Sequence, residues 1–298
     1  MVYYIREMMP TKRPKKHAQI RRDAKFCVYC YAELNEENYS LEHMPPKGMF
    51  RDSLRIKGLE FGGCKSCNVG TKAADAAVAF FARIDQFGDD VVNWKVREAV
   101  KFLKAANDGP PGFSAELFDE GRAKGTIRRT PGGVMVPLTE THTGPIGQAL
   151  LNVFAAKLGM AMYHEHAGEP LPPTGGVHGM WFLNAGLSEK TAEGLLKILP
   201  VFDTLKAGSQ TATNQFAYRY NSDNRSIVAA LTHVQNNVHF FTVATATPET
   251  YGFPRPMPFS AFVRPGELLK NMPKPRPAIF MPMPERDRFP SLILPQRR

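Results

Sequence analysis

Cys27-Val28-Tyr29-Cys30 and Cys64-Lys65-Ser66-Cys67-Asn68 hold all four cysteines of the 298-residue chain, in two CxxC pairs. Zinc takes four soft ligands at the corners of a tetrahedron, so two such pairs form the pattern of a closed structural zinc site. The competing readings are a redox pair and a disulfide framework. The disulfide framework is the poorer of these, because Met1 to Pro10 has neither the apolar run nor the small-residue cleavage site of a secretory leader. A metal held by these four residues ties position 27 to position 64 and fixes whatever lies between them.

Between them runs Tyr39-Ser40-Leu41-Glu42-His43-Met44-Pro45-Pro46-Lys47. With Cys27-x2-Cys30 before it and Cys64-x2-Cys67-Asn68 after it, this segment resembles the HNH, or ββα-metal, endonuclease family, in its zinc-containing branch. The resemblance covers about 50 residues. It implies a hairpin carrying Glu42 and His43, followed by a helix that begins at the second cysteine pair. It also implies that Glu42 and Asn68 hold a catalytic Mg2+ or Mn2+ while His43 activates water, with zinc on Cys27, Cys30, Cys64 and Cys67.

The residue chemistry suits those roles. Phosphodiester hydrolysis needs an activated nucleophile and a positive charge on the developing oxyanion. Imidazole titrates near neutrality and can accept a proton from water. Hard divalent cations prefer oxygen ligands such as a carboxylate and an amide carbonyl. Lys47 and Lys72 are the candidate phosphate-binding cations. Lys72 and Asp75 lie four and seven positions beyond Asn68, on one helical face. Asp75 is a further or substitute metal ligand, and a solvated Lys72 and a surface Asp75 are equally open readings. Residues 44–67 contain no Asn or Gln, so a backbone carbonyl is expected to orient His43.

Outside this segment the chain reads as an ordinary water-soluble protein, 43% hydrophobic and 22% charged, with no apolar run long enough for a membrane span. The cytoplasm is the expected compartment. A net charge of +10 favours a polyanionic partner, DNA first and RNA as the alternative. Part of that charge sits in a basic arm, residues 1–25, with eight Lys/Arg against Glu7 and Asp23.

The expected fold class is α+β: a zinc-stapled ββα module at 26–108, a separate α+β domain at 113–250 and a proline-rich basic tail at 251–298. Val69, Ala73, Ala76, Ala77, Phe80 and Ile84 predict a helix from the second cysteine pair toward Gln86, and Val92 to Leu103 predict another. Asp108-Gly109-Pro110-Pro111-Gly112 reads as a hinge. Beyond it, Gly144 to Ala167 predicts a long buried helix, interrupted in its apolar character by Asn152 and Lys157. Val177–Leu183 predicts a strand, Ser188–Leu199 a helix, and Phe216–Tyr220, Ser226–Thr232 and Val238–Ala244 three strands joined by short turns. Specificity, a homo-oligomer contact or a protein partner is the expected business of residues 113–298.

Other polar residues read blandly. His164 and His166 close the long helix, where positive charge suits the helix dipole. His17, His142, His178, His233 and His239 are scattered without a legible partner, and Trp94 and Trp181 read as packing residues. Tyr218, Arg219 and Tyr220 read as an ordinary strand before they read as a stacking surface for nucleic acid. The leading expectation is therefore a metal-dependent DNA endonuclease, in phage defence or restriction by analogy of fold. Its rival is a zinc module that binds nucleic acid or a protein without cutting.

Overall fold

The computed structural model describes residues 13–50, 59–84, 104, 109–110, 112–117, 123–129, 135–141, 143–183, 189–207, 210–212, 215–235, 238–254 and 260–274. It is a mixed fold of helices and antiparallel strands. After helix α1 (Arg13–Asp23), strands β1 (Tyr39–Met44) and β2 (Leu59–Cys64) pair antiparallel, with His43 opposite Glu60 and Tyr39 opposite Cys64. The helix expected after Cys64 forms in two pieces, α2 (Lys65–Gly70) and α3 (Lys72–Ile84). The break falls at Thr71, whose hydroxyl donates back to the Cys67 carbonyl at 2.8 Å. The predicted helix at 92–107 lies outside the described residues apart from Lys104.

The long helix predicted at 144–167 is present as Pro145–Ala167; it is α5, after the short α4 (Phe113–Leu117). Its apolar residues run all round the helix, as in a helix buried on every side. It ends at Gly168, whose φ of 80° is left-handed and whose N–H returns to the His164 carbonyl. Beyond a hairpin of β3 (Ala123–Arg129) and β4 (Met135–Thr141), α5 packs on a six-stranded antiparallel sheet and on α3.

The sheet runs in the order β12 (Ser260–Val263), β5 (Gly176–Leu183), β11 (Val238–Thr245), β10 (Ile227–Val234), β9 (Phe216–Ser222), β6 (Val201–Thr204). Helix α6 (Glu189–Ile198) leads into β6, and the two-residue strands β7 (Lys206–Ala207) and β8 (Gln210–Thr211) pair before β9. Alternation in β10 and β11 sends Val228, Ala230, Val234, Phe240 and Ala244 inward against α5. The approach is close enough that a Cβ at Gly159 would stand 2.4 Å from Val177.

The packing joins stretches that the sequence reading set apart. The stretches on either side of the hinge at 108–112 share one buried cluster, running from Cys27, Val28 and Met44 through α3 and α5 into the sheet. Part of the expected tail is also structural. Ser260–Val263 supplies the edge strand beside β5, and Gly266 then donates its N–H to the Tyr29 carbonyl at 3.0 Å. Residues 275–298 lie outside the described residues. No helix among the described residues is long and apolar enough to cross a membrane.

Burial also changes the reading of four histidines. Desolvation lowers His164 and His166 from the ordinary imidazole range, which works against the helix-end charge that the sequence suggests. His166 instead stacks on Tyr220, with ring centroids 4.0 Å apart. His233 and His239 face each other across β10 and β11, both lowered by burial and His239 also by its neighbour's charge. A histidine depressed in the fold binds fewer protons there than in the unfolded chain, which titrates near pH 6.5. The stability these residues contribute is present above that pH and is lost as pH falls through it. The urea midpoint should therefore drop between pH 7.5 and pH 5, and His233→Gln should make the drop smaller.

Candidate metal centre and histidine cleft

The first cysteine pair sits in a tight turn. Cys27 N–H donates to the Ala32 carbonyl and Tyr31, at φ 61°, donates back to the Cys27 carbonyl. Val28 N–H reaches the Gly62 carbonyl on β2, and this draws the turn against the hairpin. The second pair opens α2, with Cys64 as its N-cap. The four sulfurs lie within 4.8 Å of one another, and Cys30 and Cys64 are 3.7 Å apart. A tetrahedron with Zn–S bonds of 2.3 Å has edges of about 3.8 Å, so the set fits such an ion. No disulfide joins them.

The surroundings of the sulfurs also suit thiolates. Cys27 Sγ accepts from the N–H groups of Tyr29 (3.4 Å) and Cys64 (3.2 Å), and Cys64 Sγ accepts from Cys67 N–H (3.4 Å). Hydrogen bonding with the Cys27 and Cys67 sulfurs pulls the Cys30 thiol down to about 4, and hydrogen bonding with the Cys27 and Cys30 sulfurs pushes Cys67 up. The four cysteines are thus a candidate centre for a metal ion such as zinc.

Glu42 and His43 are neighbours on β1, so the strand's two-residue period sends them to opposite faces. Glu42 turns inward. Its carboxylate is 3.3 Å from the ammonium of Lys157 on α5, and that ammonium also donates to both oxygens of Asp75 on α3, at 2.8 and 3.0 Å. The Lys157 side chain is 0% exposed and that of Glu42 4%. Burial works against the Lys157 charge, but Asp75 and then Glu42 outweigh it and raise its pKa. Desolvation and the Glu42 charge push Asp75 up to about 6 against the pull of Lys157. Tyr29 lies beneath, with Lys157 Nζ 5.3 Å from its ring centre; burial and then Glu42 hold its hydroxyl protonated.

The remaining expected residues separate. Asn68 points its amide nitrogen at β1, donating to Ser40 Oγ at 2.8 Å and to the Leu41 carbonyl at 3.4 Å. Lys47 and Lys72 are exposed, and Asp75 is turned into the interior instead of lying on a solvated helix face.

On the other face, Glu60 from β2 takes the place in which a backbone carbonyl was expected. Its Oε1 is 3.4 Å from His43 Nδ1 and 3.3 Å from His17 Nε2 on α1. The two imidazole rings stand 6.3 Å apart, edge to face. Beside them an open groove of about 590 Å³ runs between α1, β2 and the end of α5, with Glu60, Phe61, Lys25 and His164 on its walls. Arg21, Arg22 and Lys25 line the exposed side of this end of α1.

Three site residues escaped the sequence reading. His17 and Glu60 carry no local motif, since only the hairpin register and the docking of α1 bring them to His43. Lys157 did carry a signal, as a charge within an otherwise apolar helix. No protein family, no characterised protein and no solved structure matches this chain.

Proposed function

We propose that residues 26–84 form a zinc-stapled HNH-like module and that the chain is a nucleic-acid endonuclease, with DNA as its first substrate. The observation that carries this reading is the imidazole of His43, held by the Glu60 carboxylate on a hairpin that four cysteines tie to α2. His43 Nδ1 faces the Glu60 carboxylate at 3.4 Å, and in this reading Nε2 acts as the base. Nε2 takes a proton from the attacking water as its oxygen bonds to phosphorus. The P–O bond to the leaving group breaks, and His17, on the same carboxylate, is placed to return a proton to that oxygen. Arg21, Arg22 and Lys25 supply positive charge for the backbone of the nucleic acid.

The resemblance also implies a divalent cation on Glu42 and Asn68, which would place positive charge on the scissile phosphate. The donor set does not fit such an ion. Glu42 and Asp75 are already paired with Lys157, and Asn68 turns its amide nitrogen, which cannot ligate a cation, toward Ser40 and Leu41. No step of this reading passes through the ion.

The deciding assay is nicking of supercoiled plasmid, with single-stranded RNA in parallel, with and without Mg2+ or Mn2+. His43→Ala should lower the rate about 10²- to 10⁴-fold, the usual worth of a general base, with zinc content unchanged. Full activity of the pure variant would remove His43 from the reaction. Glu60→Gln should also lower the rate with zinc content unchanged, because it removes the carboxylate that holds His43. A second reading, a zinc module that binds nucleic acid without cutting it, is favoured by the engagement of Glu42 with Lys157. Tight binding with no nicking under any of these ions would establish it.

A further inference from the structure

The Glu42 face of the hairpin carries an inference about cations. Three elements far apart in sequence converge there: β1 contributes Glu42, α3 contributes Asp75, and α5 contributes Lys157, 82 residues beyond Asp75. An ammonium has three N–H donors, and three carboxylate oxygens lie 2.8, 3.0 and 3.3 Å from Nζ. Carboxylates hold a hard divalent ion from distances of roughly 2.0–2.6 Å, so a small contraction of the same cage would suit one. A cation is already at its centre. Lys157 is fully buried, and its ammonium is bounded by Tyr29 as well as by the two carboxylates.

We propose that Lys157 is the resident cation of this cluster: its ammonium stands where a divalent metal would sit between such carboxylates. The chain then binds metal at its cysteines and takes no second divalent ion while Lys157 is in place. The charges favour this arrangement. Two carboxylates and one ammonium leave a net charge of −1, and a divalent ion added beside the ammonium would meet a like charge at contact distance. Removing the ammonium leaves −2, which one divalent ion neutralises. The inference names the cation of the proposed nuclease's inner face, yet it stands whether or not the chain cuts nucleic acid.

The test uses the full-length, zinc-loaded protein and Mn2+ alone, followed by electron paramagnetic resonance and equilibrium dialysis. The parent should bind no Mn2+ below the millimolar range. Lys157→Met should gain one Mn2+ per chain, bound about a hundredfold more tightly or better, since like-charge contact costs several kcal/mol. Adding Glu42→Gln to that variant should abolish the site. A parent protein that binds one Mn2+, and loses it on Glu42→Gln, would overturn the proposal, as would a folded Lys157→Met that gains no Mn2+. If Lys157→Met folds only when Mn2+ is supplied, the proposal is supported. If it folds under neither condition, the parent's titration decides. None of these readouts depends on nicking, so an inactive protein that behaves as expected here would sink the nuclease reading alone.

Discussion

Stripping the metal from the cysteines, or replacing Cys64 with serine, should collapse more than the hairpin. Structural zinc sites of this ligand type contribute about 10–16 kcal/mol of apparent binding energy in small modules. Whole domains are stable by about 5–15 kcal/mol, so the loss is as large as the margin it acts on. Cys64 is the sharpest single point of attack. It ends β2, caps α2, and with Cys27 joins the knuckle to both elements. Val28 and Tyr29 belong to the same buried cluster as α5 and the sheet, so loosening the knuckle opens that cluster at one end. A chelator should therefore lower the near-ultraviolet circular dichroism of the whole chain and shift its urea midpoint, with stoichiometric zinc release. Chelated protein with an unchanged spectrum and midpoint would show that the cysteines hold no stabilising metal.

That expectation was open to a reader of the sequence, because the signal was local. Two ligands three positions apart make each half of the site, and only their meeting required the fold. The long helix and the strands at 216–222, 227–234 and 238–245 were legible for a related reason: periodicity reports which faces are covered without saying by what. What covers them was not legible. Turn chemistry at 108–112 suggests a hinge, but a turn cannot tell whether the chain beyond it starts a new core or returns to the old one. Here α5 returns, and Gly266 does so again from the far end. His43 was found by motif, whereas Glu60 had to wait for the register of β1 on β2. The resemblance made Glu42 a metal ligand and His43 the group that activates water, and the alternation of a strand sends such adjacent residues to opposite faces. Once the hairpin is formed, the inner face belongs to α5.

Lys157→Met should cost the protein about 3–5 kcal/mol, the usual penalty for leaving a buried charge without its partner. The penalty should come chiefly from Glu42, whose side chain is 4% exposed, and less from Asp75, at 17%. The result turns on what is left behind, not on the lysine itself. Changing all three residues together, Lys157→Met with Glu42→Gln and Asp75→Asn, should recover most of the loss. A buried ionic cluster is often no more stable than a neutral one of similar shape, because its attraction offsets the cost of desolvating its members. Urea denaturation of the single and triple variants measures the difference. A single variant as stable as the parent would mean that the carboxylates reach water or take up protons without strain. A triple variant as unstable as the single one would mean that the stem of Lys157 matters more than its charge, through packing between α3 and α5. Between those outcomes, the expected recovery would identify the cluster as an electrostatic latch that holds the cysteine-tied hairpin to the helix at the centre of the fold.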